Sequence, residues 1–424
     1  MLIKNADAYI NGEFRRADIR ITDGRIAEVG ENLSSGGDAV DASGLCAAPG
    51  LVDMHVHLRE PGQTHKEDIM SGSAAAAAGG FTAVAAMANT SPVIDSPELI
   101  KEILRRSEGA SCRVLPVAAI TRGQMGEELV DFDGCIASAA AGAAGGIAFS
   151  DDGHPVPPDL MYKAMKKSAE MGFLIISHPE ERALTGNGVI NEGETSKKLG
   201  VPGIPALSED LAIIRDIEIA KYTGAKLHLA HVSTGRGAEA VYEAKRKGLT
   251  NITAETCPHY FSLNDKAVEE FGADAKMSPP LRSERDRQAI IAAVSDGVFD
   301  CISTDHAPHA PEEKARGLIS APNGIIGLQT SFALGITYLV DERKLTLGEL
   351  IRLMSVNPSK LLGLPCGIML GNPADLFLFD PNESFVFTED MIKSKSRNSP
   401  FLGKTLRGKV KMTICGGKTT YREI

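Results

Sequence analysis

The sequence predicts an α/β chain, a (β/α)8 TIM barrel with a small discontinuous β-sandwich domain formed by both chain ends. Three observations predict it. Eight short apolar runs alternate with helical stretches over roughly 250 residues, the size and rhythm of such a barrel. Both chain ends are β-rich and broken by Asn-Gly, Asp-Gly and Gly-Gly turns. The ten histidines all fall between His55 and His309, so imidazole chemistry belongs to the middle of the chain.

At the start, YINGEF and ITDGRIAEVG each place a turn dipeptide between β-formers and read as hairpins. The end, ADLFLFDP followed by GKVKMTICGGKTTY, reads the same way. Residues 1–48 with 365–424 are therefore assigned to the sheet domain and 49–364 to the barrel. Candidate barrel strands lie near 51–56, 81–87, 113–119, 145–149, 173–177, 226–231, 251–257 and 299–303. One helix is expected from about Lys66 to the stop at Gly79-Gly80. A second opens at Ser96-Pro97-Glu98, an N-cap followed by proline at the first helical position. Others are expected at about 159–171, 207–222, 235–247 and 284–295. A doubly wound open sheet is the alternative, but its Gly-rich phosphate turn after the first strand is missing, and GRG at 235–237 is an isolated fragment.

Bulk properties narrow the function. A net charge of −10 argues against nucleic acid or an anionic membrane surface as the main partner. No apolar run approaches the roughly 20 residues of a membrane span, and MLIKNADAYINGEF lacks the pattern of a signal peptide. The seven cysteines are scattered with no C-x-x-C pair, which suits reduced thiols in a cytoplasmic enzyme.

The chemistry collects at strand ends. His55 and His57 are two apart on the first strand and share a face, which in a barrel is the interior. Strand four ends in AFSDDG (Asp151, Asp152), strand five in IISH (His178), strand six in HLAH (His231) and strand eight in STDHAPH (Asp305, His306, His309). Barrel enzymes keep their active sites at this end. Imidazole with carboxylate suits zinc or a similar divalent ion. The donors exceed the needs of one four-coordinate ion with an open position, and a two-metal centre with a bridging water accounts for the surplus. Arg59 follows His57 by two and can grip a carboxylate bidentately; the plainer reading is a surface ion pair with Glu60 or Glu67.

DASGLCAAPGLVDMHVHLREPG resembles the opening signature of the amidohydrolase superfamily, and HVHLREPG resembles that of the dihydroorotases. AMANTSPV, AFSDDG, AHVST, KMSPPLR, STDHAPH and SKSRNSPFLGK extend the resemblance over nearly the whole chain. It implies reversible cyclisation of N-carbamoyl-L-aspartate to L-dihydroorotate by an enzyme with two divalent ions, zinc first among them. His55, His57, His178, His231 and Asp305 are then metal ligands, with Asp305 also the proton shuttle. Many relatives bridge the metals with a carbamylated lysine, yet 140–150 contains none. The resemblance favours Asp152 as the bridge, while spacing alone leaves Asp151 or Asp152 open. Arg59, Asn89 and His309 would hold the substrate carboxylate. Ser278 stands where a substrate-contacting asparagine is common, Ala88 where proline is, and Pro179 where cysteine is. His65, His154, His228, His259 and His306 match no ligand position. A homodimer is the assembly that relatives suggest. The alternatives are a hydantoinase, dihydropyrimidinase or allantoinase, and a non-catalytic scaffold for aspartate transcarbamoylase.

Overall fold

The computed structural model describes residues 1–34, 37–140 and 147–424. The N-terminal end forms β1 (Leu2–Ile10), β2 (Glu13–Thr22), β3 (Arg25–Gly30), β4 (Ala39–Asp41) and β5 (Cys46–Pro49). The middle carries β6 (Leu51–Val56), β7 (Phe81–Ala86), β8 (Arg113–Pro116), β9 (Ala148–Phe149) and β10 (Leu174–Ser177). After a two-stranded excursion, β11 (Ile190–Asn191) with β12 (Gly203–Ile204), come β13 (Lys226–Leu229), β14 (Ile252–Thr256) and β15 (Cys301–Ile302). The chain closes with β16 (Leu376–Val386), β17 (Thr405–Cys415) and β18 (Lys418–Arg422).

The turn dipeptides behave as their chemistry requires. Ile10 pairs with Glu13 across Asn11 and Gly12, whose φ values are 54° and 94°. Asp23-Gly24 and Gly416-Gly417 repeat this, each with positive φ at both turn residues, the geometry that suits the twist of a two-residue hairpin. The eight end strands hydrogen-bond in the order β18-β17-β16-β5-β1-β2-β3, with β4 on β1. On β16 the side chains alternate. Leu376 and Leu378 join the end domain's own core with Ile3, Ile19 and Ile414, whereas Phe377 and Phe379 face the barrel. There they stack on one another and meet Phe332 edge-on, with ring centroids 4.8–5.1 Å apart.

The central strands pair in parallel within two sheets, β6-β7-β8 and β9-β10-β13-β14-β15. Bridges Ala118–Phe149 and Val56–His306 join the sheets at both seams, so the ring of eight is closed. Alternating residues split into two cores, as a period of two demands. Val52, Met54, Ala83, Ala85, Leu115 and Ile176 fill the interior, while Leu51, Val84, Val114, Ile175 and Leu227 meet the helices outside.

The predicted helices are observed at 69–78, 97–106, 158–171, 207–223, 235–246 and 284–295. The first starts at Ile69 rather than Lys66, because the Asp68 carboxylate accepts from Ser71 N at 2.7 Å and caps it there. Ser96 caps the second, with Pro97 at its first position. Sequence reading missed Phe132–Ala140, whose start Asp131 caps by accepting from Gly134 N at 3.1 Å, and the helical stretches 331–340 and 347–361, where short α turns run into wider π turns at 336–340 and 352–356. The predicted fourth strand, 145–149, is observed from Ala148; its first two residues lie outside the described ones.

Candidate active site

β6 enters the barrel mouth with a register slip against β7 between Asp53 and Val56. The buried Asp53 carboxylate accepts from His55 N at 3.0 Å and from Thr304 N at 3.2 Å, tying the first strand to the eighth. Beyond the strand ends the backbone bends sharply. Arg59, His231 and Asp305 sit at φ 58°, 38° and 47°, a left-handed region that costs a residue with a Cβ of order 1 kcal/mol or more. Such strain persists only where the surroundings enforce it. Gly62 lies just after, at φ 86°, where a Cβ would come within 1.9 Å of Ser91 O, so the last residue of REPG can only be glycine.

The side chains converge. Asp152 Oδ1 lies 3.2 Å from His55 Nε2, 3.2 Å from His178 Nδ1 and 3.5 Å from His231 Nε2. Its Oδ2 is 3.5 Å from His57 Nε2. Asp305 Oδ1 faces the other side, 3.1 Å from His57 Nε2 and 3.7 Å from His55 Nε2. All six are buried. Asp151, next in chain, is turned away: its carboxylate accepts from Ile120 N at 2.6 Å, from Thr121 N at 3.0 Å and from the Thr121 hydroxyl.

This donor set fits a divalent cation on three counts. His55, His57 and Asp305 offer donor atoms within 4.8 Å of one another, as do His55, Asp152 and His231. His178 Nδ1 and His231 Nε2 stand 2.9 Å apart, close enough that two lone pairs there need a proton or a cation between them. His55 is fully buried, yet neither of its ring nitrogens makes an aligned hydrogen bond, and His231 Nδ1 has none either. Imidazole and carboxylate together are the chemistry of zinc-like ions.

Without a cation, two of the histidines hold protons. Burial opposes charge on His178, but its hydrogen bonds to Asp152 and Glu180 outweigh this and lift it to about 10. Burial and Asp152 compete in the same way at His55, which ends well above its usual 6.5. A histidine raised on folding gives stability that is complete below its unfolded pKa and lost as pH climbs through the folded one. Chelator-treated protein is therefore expected to melt at falling temperatures from about pH 6.5 to about 10. Metal-loaded protein escapes this loss, because cation binding needs the neutral imidazoles. Thermal scans across that range, with and without chelator, check it.

A cavity of about 330 Å³ opens onto the cluster, its wall including His57, Arg59, Asn89, Ser278, Asp305 and His309. Arg59 is 7% exposed, and the surface ion pair is not formed. Glu60 pairs with Arg106 at 2.6 Å, and Glu67 is held by Ser71, Ser394 and His306. Arg59 Nε donates to Pro308 O at 3.1 Å, and a terminal nitrogen lies 3.2 Å from His309 Nε2. No carboxylate stands within 4.0 Å of it among the described residues. Burial lowers Arg59 only to about 10, so it remains charged at neutral pH. His309 is pushed down to about 3, by burial first and then by Arg59, and stays neutral. Asn89 Oδ1 accepts from His57 Nδ1 at 2.8 Å, and Ser278 donates to Glu180 at 3.4 Å.

Two carboxylates near the cluster were missed in the sequence. Glu180 faces His178 Nε2 at 3.8 Å. Glu255, on β14, lies 3.3 Å from His55 Nδ1 and 3.1 Å from His228 Nε2. A carboxylate near the end of a candidate strand, in step with the histidines of the other strands, was the available signal for it. Carboxylates of this kind fix the tautomer and raise the basicity of a metal-binding imidazole. Glu255→Gln is expected to weaken divalent-metal affinity roughly 10- to 100-fold, measured by competition with a chromophoric chelator. The remaining histidines lie outside the cluster. His228 bonds Thr253 and Glu255, His306 accepts from Gly327 N, His259 packs on Tyr260, and His65 and His154 are exposed.

Comparison with known proteins agrees with this architecture. L-Hydantoinase (dihydropyrimidinase) from Arthrobacter aurescens superposes with a TM-score of 0.87 at 22% identity, covering 99% of this chain and 96% of its own, a likeness that shows the fold. Residues 44–236 match the family described as dihydro-orotase-like. A dihydroorotase of Citrifermentans bemidjiense is 45% identical over 410 residues, covering 96% of this chain and 95% of its own. Another, from Trichlorobacter lovleyi, is 47% identical over 410 residues, covering 95% of this chain and 94% of its own. With that identity along nearly its full length, and HVHLREPG and STDHAPH meeting at one barrel mouth, the chain belongs to the dihydroorotase family.

Proposed function

We infer that this chain is a dihydroorotase, which opens L-dihydroorotate to N-carbamoyl-L-aspartate and closes it again in pyrimidine biosynthesis. The observation that carries the reading is Arg59, a buried cation facing a cavity with no carboxylate within 4.0 Å of it among the described residues. A buried charge is costly unless paired, and a substrate bearing a free carboxylate supplies the pair. The neutral rings of hydantoin or dihydrouracil do not.

His55, His57, Asp152, His178, His231 and Asp305 would hold two divalent cations, most simply zinc. Such ions lower the pKa of a water and polarise a carbonyl oxygen. The protein's own groups do the rest. Arg59, with His309 and Asn89, grips the substrate carboxylate and fixes the ring. In hydrolysis, oxygen from water bonds to the ring amide carbon and the carbon–nitrogen bond breaks. Asp305 accepts one water proton and delivers it to the departing nitrogen, while the other is lost to solvent, leaving a β-carboxylate and a ureido group. In cyclisation Asp305 takes a proton from the ureido nitrogen, a second proton comes from solvent, and the carboxylate oxygen leaves as water. Burial opposes ionisation of Asp305, but the His57 hydrogen bond and the charge on His55 hold it below the usual carboxylate range, so it is ready as a base.

The assembled centre argues against the scaffold reading, since a scaffold for aspartate transcarbamoylase needs no such convergence. Free cysteines throughout support a cytoplasmic setting, and a homodimer is the assembly expected from relatives. Metal analysis of the purified protein, paired with assays on dihydroorotate, hydantoin and dihydrouracil, tests the function. Turnover of the neutral rings without action on dihydroorotate would replace it with the cyclic-ureide alternative.

A further inference from the structure

The segment SKSRNSPF, at 394–401, runs between β16 and β17 of the end sheet, yet its buried side chains reach the barrel mouth. Ser394, Ser396 and Asn398 alternate inward. The first two hold the loop that follows β6. The Ser394 hydroxyl donates to Glu67, Lys395 N donates to the same carboxylate at 3.2 Å, and Ser396 Oγ donates to Lys66 O at 2.7 Å. Asn398 holds the loop that follows β15. Its Oδ1 accepts from His309 N at 3.1 Å, and its Nδ2 donates to Ala307 O at 3.1 Å and Gly324 O at 3.0 Å. Its own carbonyl accepts from Ile326 N at 2.9 Å.

Those two loops carry the two halves of the carboxylate grip, Arg59 on the first and His309 on the second. The second loop has little slack. At Gly324 a Cβ would stand 2.6 Å from that of Ala307 and 3.3 Å from the His309 ring. Both N–H donors of the Asn398 amide are engaged by this loop, so none is left for a substrate carboxylate. We propose that the segment 394–398 braces Arg59 against His309, and that Asn398 is a positioning residue for recognition of the substrate carboxylate. This rests on the dihydroorotase reading and adds a task for the end domain, which sets the spacing of a grip built on barrel loops.

The test compares dihydroorotate with its neutral carboxamide, whose ring amide is the same but which gives the grip no charge. Asn398→Ala is expected to lower kcat/KM for dihydroorotate roughly tenfold or more, mainly through KM, because small misplacements of a positioning group carry costs of that size. Turnover of the carboxamide and bound metal should change by less than about threefold, so the preference for the acid collapses. Equal losses on both substrates, or no loss on either, would overturn the proposal. If Asn398→Ala does not accumulate as folded protein, Ser396→Ala loosens the brace from the other loop and is expected to shift the same preference. Arg59→Gln serves as the reference. If it leaves the preference for the acid intact, the grip itself is misassigned; if it abolishes the preference while both brace variants retain it, only the brace is wrong.

Discussion

Replacing Asp305 with alanine is expected to lower the rate of dihydroorotate hydrolysis by about 10³-fold or more, the upper part of the range for losing a general base, with most bound metal retained. The geometry separates the two effects. Asp305 reaches only one side of the cluster, 3.1 Å from His57 and 3.7 Å from His55. Asp152 contacts all four histidines, so removing Asp305 leaves the cation sites with most of their donors. Asp305 also lines the substrate cavity, and its left-handed backbone aims it there. Asp305→Asn retains the shape and loses the base, and it should fail to nearly the same degree. Steady-state rates alongside metal content decide the matter, and near-normal turnover in either variant would remove Asp305 from the proton path.

The barrel was legible because each of its strands is a short apolar run stopped by a polar or glycine residue, and the end sheet because its turn dipeptides permit few other conformations. The helix at 132–140 was hard to read because its apolar periodicity dissolves into a stretch of alanine and glycine, although Asp131 caps its start by accepting from Gly134 N at 3.1 Å. Within the site, the histidines could be read because they recur at strand ends, where spacing predicts convergence. Choosing between Asp151 and Asp152 needed coordinates: only the structure shows the first engaged by Ile120 and Thr121. The left-handed turns at Arg59, His231 and Asp305 left no trace in residue type, since none is glycine. Asn398 was hidden by distance, as it meets His309 across 89 residues and from another sheet. Local pattern reports what a residue does in its own element. It is silent about a residue that serves an element elsewhere.

Arg59→Gln is expected to raise KM for dihydroorotate about 100-fold, the scale for truncating one partner of a buried charge pair, and at the same time to make the substrate-free enzyme more stable. The second effect follows from burial, which lowers the guanidinium from its ordinary value to about 10. A cation whose folded pKa is lowered opposes folding while it stays charged, here by about 3 kcal/mol at neutral pH. Glutamine carries no charge and can still donate toward Pro308 O, so the melting temperature should rise by about 3 °C or more. Arg59→Lys should not rescue binding, since an ammonium cannot present the paired donors of the guanidinium fork. The opposite signs carry the argument. An arginine kept for structure loses stability when it is removed, and substrate affinity falls only as a consequence. An arginine kept for a substrate carboxylate leaves the free protein under strain that the substrate relieves. If Arg59→Gln proved both less stable and only mildly weaker in binding, the residue would belong to the fold, and the preference for an acidic ring substrate would need another source in the same cavity.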